Sequence, residues 1–370
     1  MIYADMHCDT VSELYRKRQA GSGEGLYENT GHVDLVRMKK GGAMLQNFAL
    51  YVNMGKTKDP LGEALRMADL YYGELKENEE WIAPVYSFTD ILKNRREGKI
   101  SALLTVEEGG VCRGELPFLR ILYRLGVRMM TLTWNYANEL GFPAADAGGR
   151  RLSLWIWNEN RMAGSTGAYA GKEGNQWDGT DVRQGLTEKG KEMVREMEKL
   201  GMIIDVSHLS DAGFYDVLEI TEKPFVASHS NARAVCPHAR NLTDDMIRKL
   251  AERGGVMGLN FYPDFLTEVS GGMPNPGTIA AVTEHARHII RVGGIDCLGL
   301  GSDFDGIDGH AQLPDCSHMP LLADALGKCG LSEDAVEKIF YRNVLRVYGE
   351  VLGGAEQGTP VSDGKTLLQK

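Results

Sequence analysis

A chain of 370 residues can bury a large core, and at 43% hydrophobic residues it has the composition of a globular protein rather than a disordered or fibrous one. Its net charge of −10 argues against a nucleic-acid partner or an anionic membrane surface, both of which reward basic patches. The six cysteines include no Cys-x-x-Cys pair, which points to reduced thiols rather than a disulfide framework or a structural zinc knuckle. No basic and apolar leader opens the sequence, and no run of about 18 apolar residues interrupts it, so a cytosolic protein without membrane contact is expected.

Ile2 to Met6 reads as a short strand running into His7-Cys8-Asp9. Side chains alternate along a strand, so His7 and Asp9 point one way, ready to grip one metal ion, while Cys8 points the other way as a packed thiol. Residues 16 to 34 are polar and glycine-rich and read as a loop. Ala43 to Val52 gives a second strand. From Leu61 to Glu79 apolar residues recur at helical spacing, with Leu65, Ala68, Leu70, Tyr72 and Leu75 expected on the buried face. Ser87 to Glu97 is helical, capped by Ser87 or Thr89. Ile100 to Val106 is the third strand and leads into Glu107-Glu108-Gly109-Gly110, where the glycines let the backbone turn sharply behind a strand-end carboxylate.

Leu116 to Leu125 is helical, and Val127 to Leu132 is a fourth strand. The aromatic cluster after it, around Trp134, Asn135 and Tyr136, either lines a pocket or covers the core. Residues 137 to 185, with Trp155, Trp157 and Trp177 among glycines, lack periodicity and read as a long insert-like loop, an active-site cover or an oligomer contact. A helix from Leu186, capped by Thr187, stops at Gly201. Met202 to Val206 then ends at His208, the helix Ser210 to Ile220 follows, and Phe225 to Ala227 ends at His229. Two successive parallel strands thus bring an imidazole, each preceded by serine, to one edge of a sheet. Such a pair suits zinc, and would equally serve as hydrogen-bonded rim residues. Thr243 begins a further helix, Val256 to Asn260 is a strand leading to Tyr262, Thr278 to Val292 is a helix, and Cys297 to Gly301 ends in Ser302-Asp303. Ser332 to Leu352 closes the chain as one or two helices, and residues 353 to 370 read as a loosely ordered tail.

Eight strands, most followed by a helix, predict one α/β domain over residues 1 to 352, a single (β/α)8 TIM-like barrel. In that fold the C-terminal strand ends carry the chemistry, and His7, Asp9, Glu107, Trp134, His208, His229, Tyr262 and Asp303 all fall there. Three imidazoles and three carboxylates can hold two metal ions: His7 and Asp9 on one, His208 and His229 on the other, Glu107 bridging. A bridging water between them would give hydroxide near neutral pH, leaving Asp303 to carry the proton.

These residues stand in motifs that resemble the membrane dipeptidase (renal dipeptidase) family of zinc peptidases, in its soluble bacterial branch. The matching pieces are Asp5-Met-His7-Cys-Asp9-Thr10, Gly98 to Glu107, Gly201 to Ser210 through His208, Ala227-Ser-His229-Ser-Asn-Ala-Arg233, Arg240-Asn241-Leu242 and Gly301-Ser-Asp303-Phe-Asp-Gly306. The resemblance implies a barrel with two zinc ions that hydrolyses dipeptides, often tolerating a C-terminal D-residue, and a homodimer. Residue by residue it implies His7, Asp9, Glu107, His208 and His229 as zinc ligands, Asp303 as the catalytic aspartate, Arg240 as the guanidinium that holds the substrate carboxylate, and Tyr262 as a pocket residue. A fork of donors suits a free carboxylate.

Two departures stand out. Trp134 occupies the place of a family histidine that contacts substrate, and tryptophan offers one N–H and no charge. A neighbour such as Asn135 or His238 then compensates, or the substrate differs. Glu107-Glu108 doubles a family glutamate, and strand phase favours Glu107. Two other readings keep the barrel: a binuclear amidohydrolase acting on an N-acyl amino acid or lactam, and a catalytically weak peptide-binding protein.

Overall fold

The computed structural model describes residues 1–144, 184–268 and 275–353. Trp155, Trp157, Trp177 and nearly all of the expected insert-like loop and C-terminal tail lie outside the described residues. The strands are β1 (Tyr3–Asp5), β2 (Ala43–Tyr51), β3 (Ile82–Pro84), β4 (Ile100–Glu107), β5 (Val127–Thr131), β6 (Ile203–Asp205), β7 (Val226–Ala227), β8 (Val256–Leu259) and β9 (Leu298–Leu300). All pair in parallel. The run β2-β1-β9-β8-β7-β6-β5-β4 closes on itself where β2 meets β4, from Leu45 opposite Ser101 to Tyr51 opposite Glu107. Eight strands therefore form a closed (β/α)8 barrel, as the element order predicts. Every residue of β4 is buried, because a parallel sheet closed on itself and sheathed by helices has no wet face.

β3 is the ninth strand, which periodicity did not reveal. Its three residues pair with the first three of β4, from Ile82 opposite Ile100 to Pro84 opposite Ala102, below the level where β5 takes over at Leu104 opposite Val127. A short edge strand tolerates Pro84, which has no N–H to donate.

The caps read from sequence form. The Thr187 hydroxyl accepts from Gly190 N–H at 3.0 Å and Gly201 ends that helix (Glu188–Leu200) with φ +71°; Ser210, Thr243 and Thr278 cap their helices in the same way. Ser87 precedes the helix Phe88–Arg96, with Asp90 Oδ2 accepting from its N–H at 2.8 Å.

Three local expectations change. Residues 16 to 34 are not all loop, since a helix covers Thr10–Gln19 and its last turn holds Arg16, Lys17 and Arg18, the charge that a helix C-terminus favours. Leu65 faces outward at 38% exposure, and the buried stripe of its helix includes Ala64, Met67, Ala68, Tyr71 and Leu75, at i, i+3, i+4, i+7 and i+11 on one face. Before Ser332 a further helix, Met319–Lys328, starts with Pro320 in its first turn.

The C-terminal mouth is tight around β7. A Cβ on Gly301 would stand 1.7 Å from the Ser228 carbonyl oxygen, and one on Gly258 2.0 Å from the same atom. Only glycine lets β8 and β9 close this near to the turn that carries His229.

Candidate metal centre

At that mouth the strand ends bring His7, Asp9, Glu107, His208, His229 and Asp303 into one buried cluster. The Glu107 carboxylate lies in the middle and faces both ways. Its Oε2 is 3.3 Å from His7 Nε2, which in turn is 3.5 Å from Asp9 Oδ2. Its Oε1 is 3.0 Å from His208 Nε2 and 3.6 Å from His229 Nε2. Potential ligand atoms of His7, Asp9 and Glu107, and of Glu107, His208 and His229, lie within 4.8 Å of one another, and Asp303 joins His7 and His229 in a third such group.

The hydrogen bonds behind the histidines fix where their lone pairs point. Asp205 Oδ2 accepts from Ser228 Oγ at 2.5 Å and from Thr131 Oγ1 at 2.8 Å. With its proton committed to Asp205, the Ser228 hydroxyl accepts from His229 Nδ1–H at 2.7 Å. His208 Nδ1–H donates to Asn135 Oδ1 at 2.8 Å. Both Nε2 atoms therefore carry lone pairs, yet they stand 2.9 Å apart and converge on Glu107. Two lone pairs and a carboxylate oxygen at that spacing repel unless a cation lies among them. Both His7 ring nitrogens and Asp9 Oδ1 are buried without a hydrogen-bond partner. The donor set fits divalent metal ions bound through nitrogen and oxygen.

Burial sets the protonation states. It raises the Glu107 carboxyl to about 7 against the pull of His7, and Asp303 to about 6. It pushes His208 and His229 well below the ordinary imidazole value, and the charge of Arg240 adds to this, so both are neutral. Burial also depresses His7, but Glu107 and Asp9 outweigh it and raise this imidazole.

Each remaining expected residue has a defined place. Cys8 points away from the cluster, its thiol 3.3 Å from the Asn47 carbonyl. Asp303 is held by Asn260 Nδ2 on Oδ2 at 2.9 Å, with Oδ1 3.9 Å from His7 Nε2. Arg240 is buried: one nitrogen donates to the His229 carbonyl at 3.2 Å, the guanidinium lies over the Phe265 ring, and its Nε is unpartnered. Burial lowers it to about 10, which leaves it charged. Tyr262 stands 4.8 Å from Phe265, ring to ring, on the same side as Arg240. The Trp134 ring is 6.2 Å from that of His208.

Glu108 does not join the cluster. It turns back with φ +101°, and its carboxylate accepts from Gly110 N–H at 2.7 Å, Trp134 N–H at 3.2 Å and the Asn138 amide. Sequence reasoning passed over Asp5, Asp205, Asn260 and Tyr51. Asp5 accepts from the Ser302 hydroxyl at 2.6 Å, tying β1 to the turn that carries Asp303. A lone aspartate ending an apolar strand was the available signal for both aspartates; the serines before His208 and His229 both bind Asp205, and the serine before Asp303 binds Asp5.

Comparison with known proteins follows this geometry. The model of a family described as membrane dipeptidase (peptidase family M19) matches residues 1–151 and 144–358. Dipeptidase tcpJ of Claviceps purpurea is 31% identical over 331 residues, spanning 87% of this chain and 69% of its own. Among solved structures, the metallopeptidase "dipeptidase AC" superposes with a TM-score of 0.80 at 26% identity, over 96% of this chain and 99% of that one. A metallopeptidase from Rhodobacter sphaeroides, liganded with a phosphinate mimic of the dipeptide L-Ala-D-Ala, gives 0.79 at 26% identity, over 95% and 99%.

Proposed function

The chain belongs to the membrane dipeptidase family of metallopeptidases, and from that premise we propose that it is a di-zinc dipeptidase whose site accepts a C-terminal D-residue. The observation that carries the two-ion reading is Glu107, one oxygen turned to His7 and Asp9 and the other to His208 and His229. His7 and Asp9 would hold one ion, His208 and His229 the other, with Glu107 shared. Two zinc ions held there would supply Lewis acidity toward the scissile carbonyl and acidify a water.

The chain's own residues supply the rest. Arg240 keeps its charge although buried, and its unpartnered Nε is free to pair with the free carboxylate of a dipeptide, which sets the length of substrate. Asp303, held up to about 6 by burial, is suited to take a proton on Oδ1 from the attacking water and return it to the leaving amine. Asn260, on Oδ2, keeps that oxygen directed at the cluster. Trp134 places no charge beside the reacting carbonyl. The D-residue reading leans on the L-Ala-D-Ala mimic in the Rhodobacter sphaeroides relative.

Metal analysis and hydrolysis of L-Ala-L-Ala, L-Ala-D-Ala and N-acetyl-Ala by zinc-loaded protein, with His208→Ala as control, test the proposal. The expected outcome is two zinc ions per chain and cleavage of both dipeptides but not the N-acetyl compound, with activity lost in the variant. One ion per chain, or cleavage of N-acetyl-Ala alone, would sink it.

A further inference from the structure

Between β2 and β5 the mouth of the barrel carries a wall of aromatic rings that the chemistry above does not use. Tyr51 ends β2 opposite Glu107 in register, so its side chain leaves the sheet on the same side as that carboxylate. Trp134 meets it edge-on with ring centroids 5.0 Å apart, and Tyr136 flanks Trp134 at 5.6 Å. All three side chains are half-buried, so each keeps an open surface. The wall is held from behind: Trp134 N–H and the Asn138 amide both bind Glu108, and the Tyr136 hydroxyl stands over Gly55, where a Cβ would come within 2.7 Å of it.

Arg240 sits on the other side of the cluster. Its neighbours are the His229 carbonyl and Phe265, whereas those of Trp134 are Tyr51, Tyr136 and His208. A dipeptide anchored at Arg240 by its carboxylate, with its peptide bond over Glu107, must extend its N-terminal residue away from Arg240. Resting on the dipeptidase reading, we propose that Tyr51, Trp134 and Tyr136 receive the N-terminal side chain and make the enzyme selective for dipeptides that begin with a large apolar residue, aromatic above all. Edge-on and offset ring contacts favour an aromatic guest over an aliphatic one of similar area.

The test is kcat/KM of the zinc-loaded enzyme for L-Phe-L-Ala, L-Leu-L-Ala, L-Ala-L-Ala and Gly-L-Ala, with binding of the phosphinate analogues of Phe-Ala and Ala-Ala followed by calorimetry. Phe-Ala should exceed Ala-Ala by about tenfold or more, as burial of a ring in an apolar pocket gives, and the analogues should bind in the same order. Trp134→Ala should collapse that ratio whatever it does to the rate on Ala-Ala, and Trp134→Phe, which keeps a ring and the backbone anchor, should retain most of it. A wild-type enzyme that cleaves Gly-Ala as well as Phe-Ala overturns the selectivity while leaving the dipeptidase reading intact. So does a Phe/Ala ratio unchanged in Trp134→Ala. If none of the four is cleaved, the dipeptidase reading itself fails.

Discussion

Asn135 and Ser228 decide which nitrogen of each strand-end histidine carries the lone pair, and that choice aims both lone pairs toward Glu107. Without Asn135 Oδ1 at 2.8 Å from Nδ1, the His208 ring is free to rotate or take the other tautomer. Partners behind a ligating histidine typically contribute 10- to 100-fold in metal affinity. Asn135→Ala should therefore weaken zinc binding by about that factor in chelator competition while the fold, read by circular dichroism, persists. An affinity within twofold of the parent would show that Asn135 is incidental. At this scale the residues of the cluster were legible, because His-x-Asp and the two Ser-His pairs sit at strand ends in an alternating chain. Asn135 was named only as a substitute for a missing histidine, and its contact with His208 was not legible: the two residues are 73 apart and meet only when β5 and β6 lie side by side.

The elements contribute through the turns that leave them. Glu108, His208, Asp303 and Asp305 all have positive φ without being glycine, at +101°, +68°, +65° and +66°. Such backbone is uncommon and persists where its surroundings over-determine it. Glu108 shows how: one oxygen takes Gly110 N–H and the Asn138 amide, the other takes Trp134 N–H, and two of these three donors belong to the backbone. Glutamine in its place presents an NH2 to at least one of them. Glu108→Gln should therefore destabilise the protein by about 1–3 kcal/mol in denaturant titration and raise KM more than it lowers kcat, since it loosens the turn that bears Trp134. Unchanged stability would mean that the doubled glutamate has no structural task. Strand phase separated Glu107 from Glu108 in the sequence, since one continues the β4 alternation and the other does not. The helix Thr10–Gln19 was missed for the opposite reason: its exposed face is so polar that the buried residues Thr10, Val11 and Leu14 leave little period to read.

Closing the barrel makes a cluster of ionisable groups whose charges depend on metal. In the metal-free protein Glu107 and Asp303 are raised to about 7 and about 6 by burial, so the folded state holds their protons at pH values where the unfolded chain has released them. Their contribution to stability is complete below the ordinary carboxyl range of about 4 and is lost as pH rises from there to about 7, above which both are ionised in either state. Metal binding runs the other way, because it needs these carboxylates ionised and releases their protons. The rise in Tm on adding zinc should thus grow between pH 5 and pH 8, as calorimetric scans with and without metal would reveal, and a pH-independent increment would contradict the ligand set. No described helix is long and apolar enough to cross a membrane. The sequence by itself determined the eight strand positions, their parallel order and the residues at their ends, because strand alternation, caps and crossover helices are local matters of period and hydrogen bonding. Only the tertiary structure decided that β3 adds to β4 outside the ring, that Gly258 and Gly301 bring Ser228 close enough to aim His229, and that Tyr51 joins Trp134 in one wall. Those facts depend on which strands become neighbours and how near they come, and the free energy of that choice is spread over the whole barrel core rather than written in any one segment.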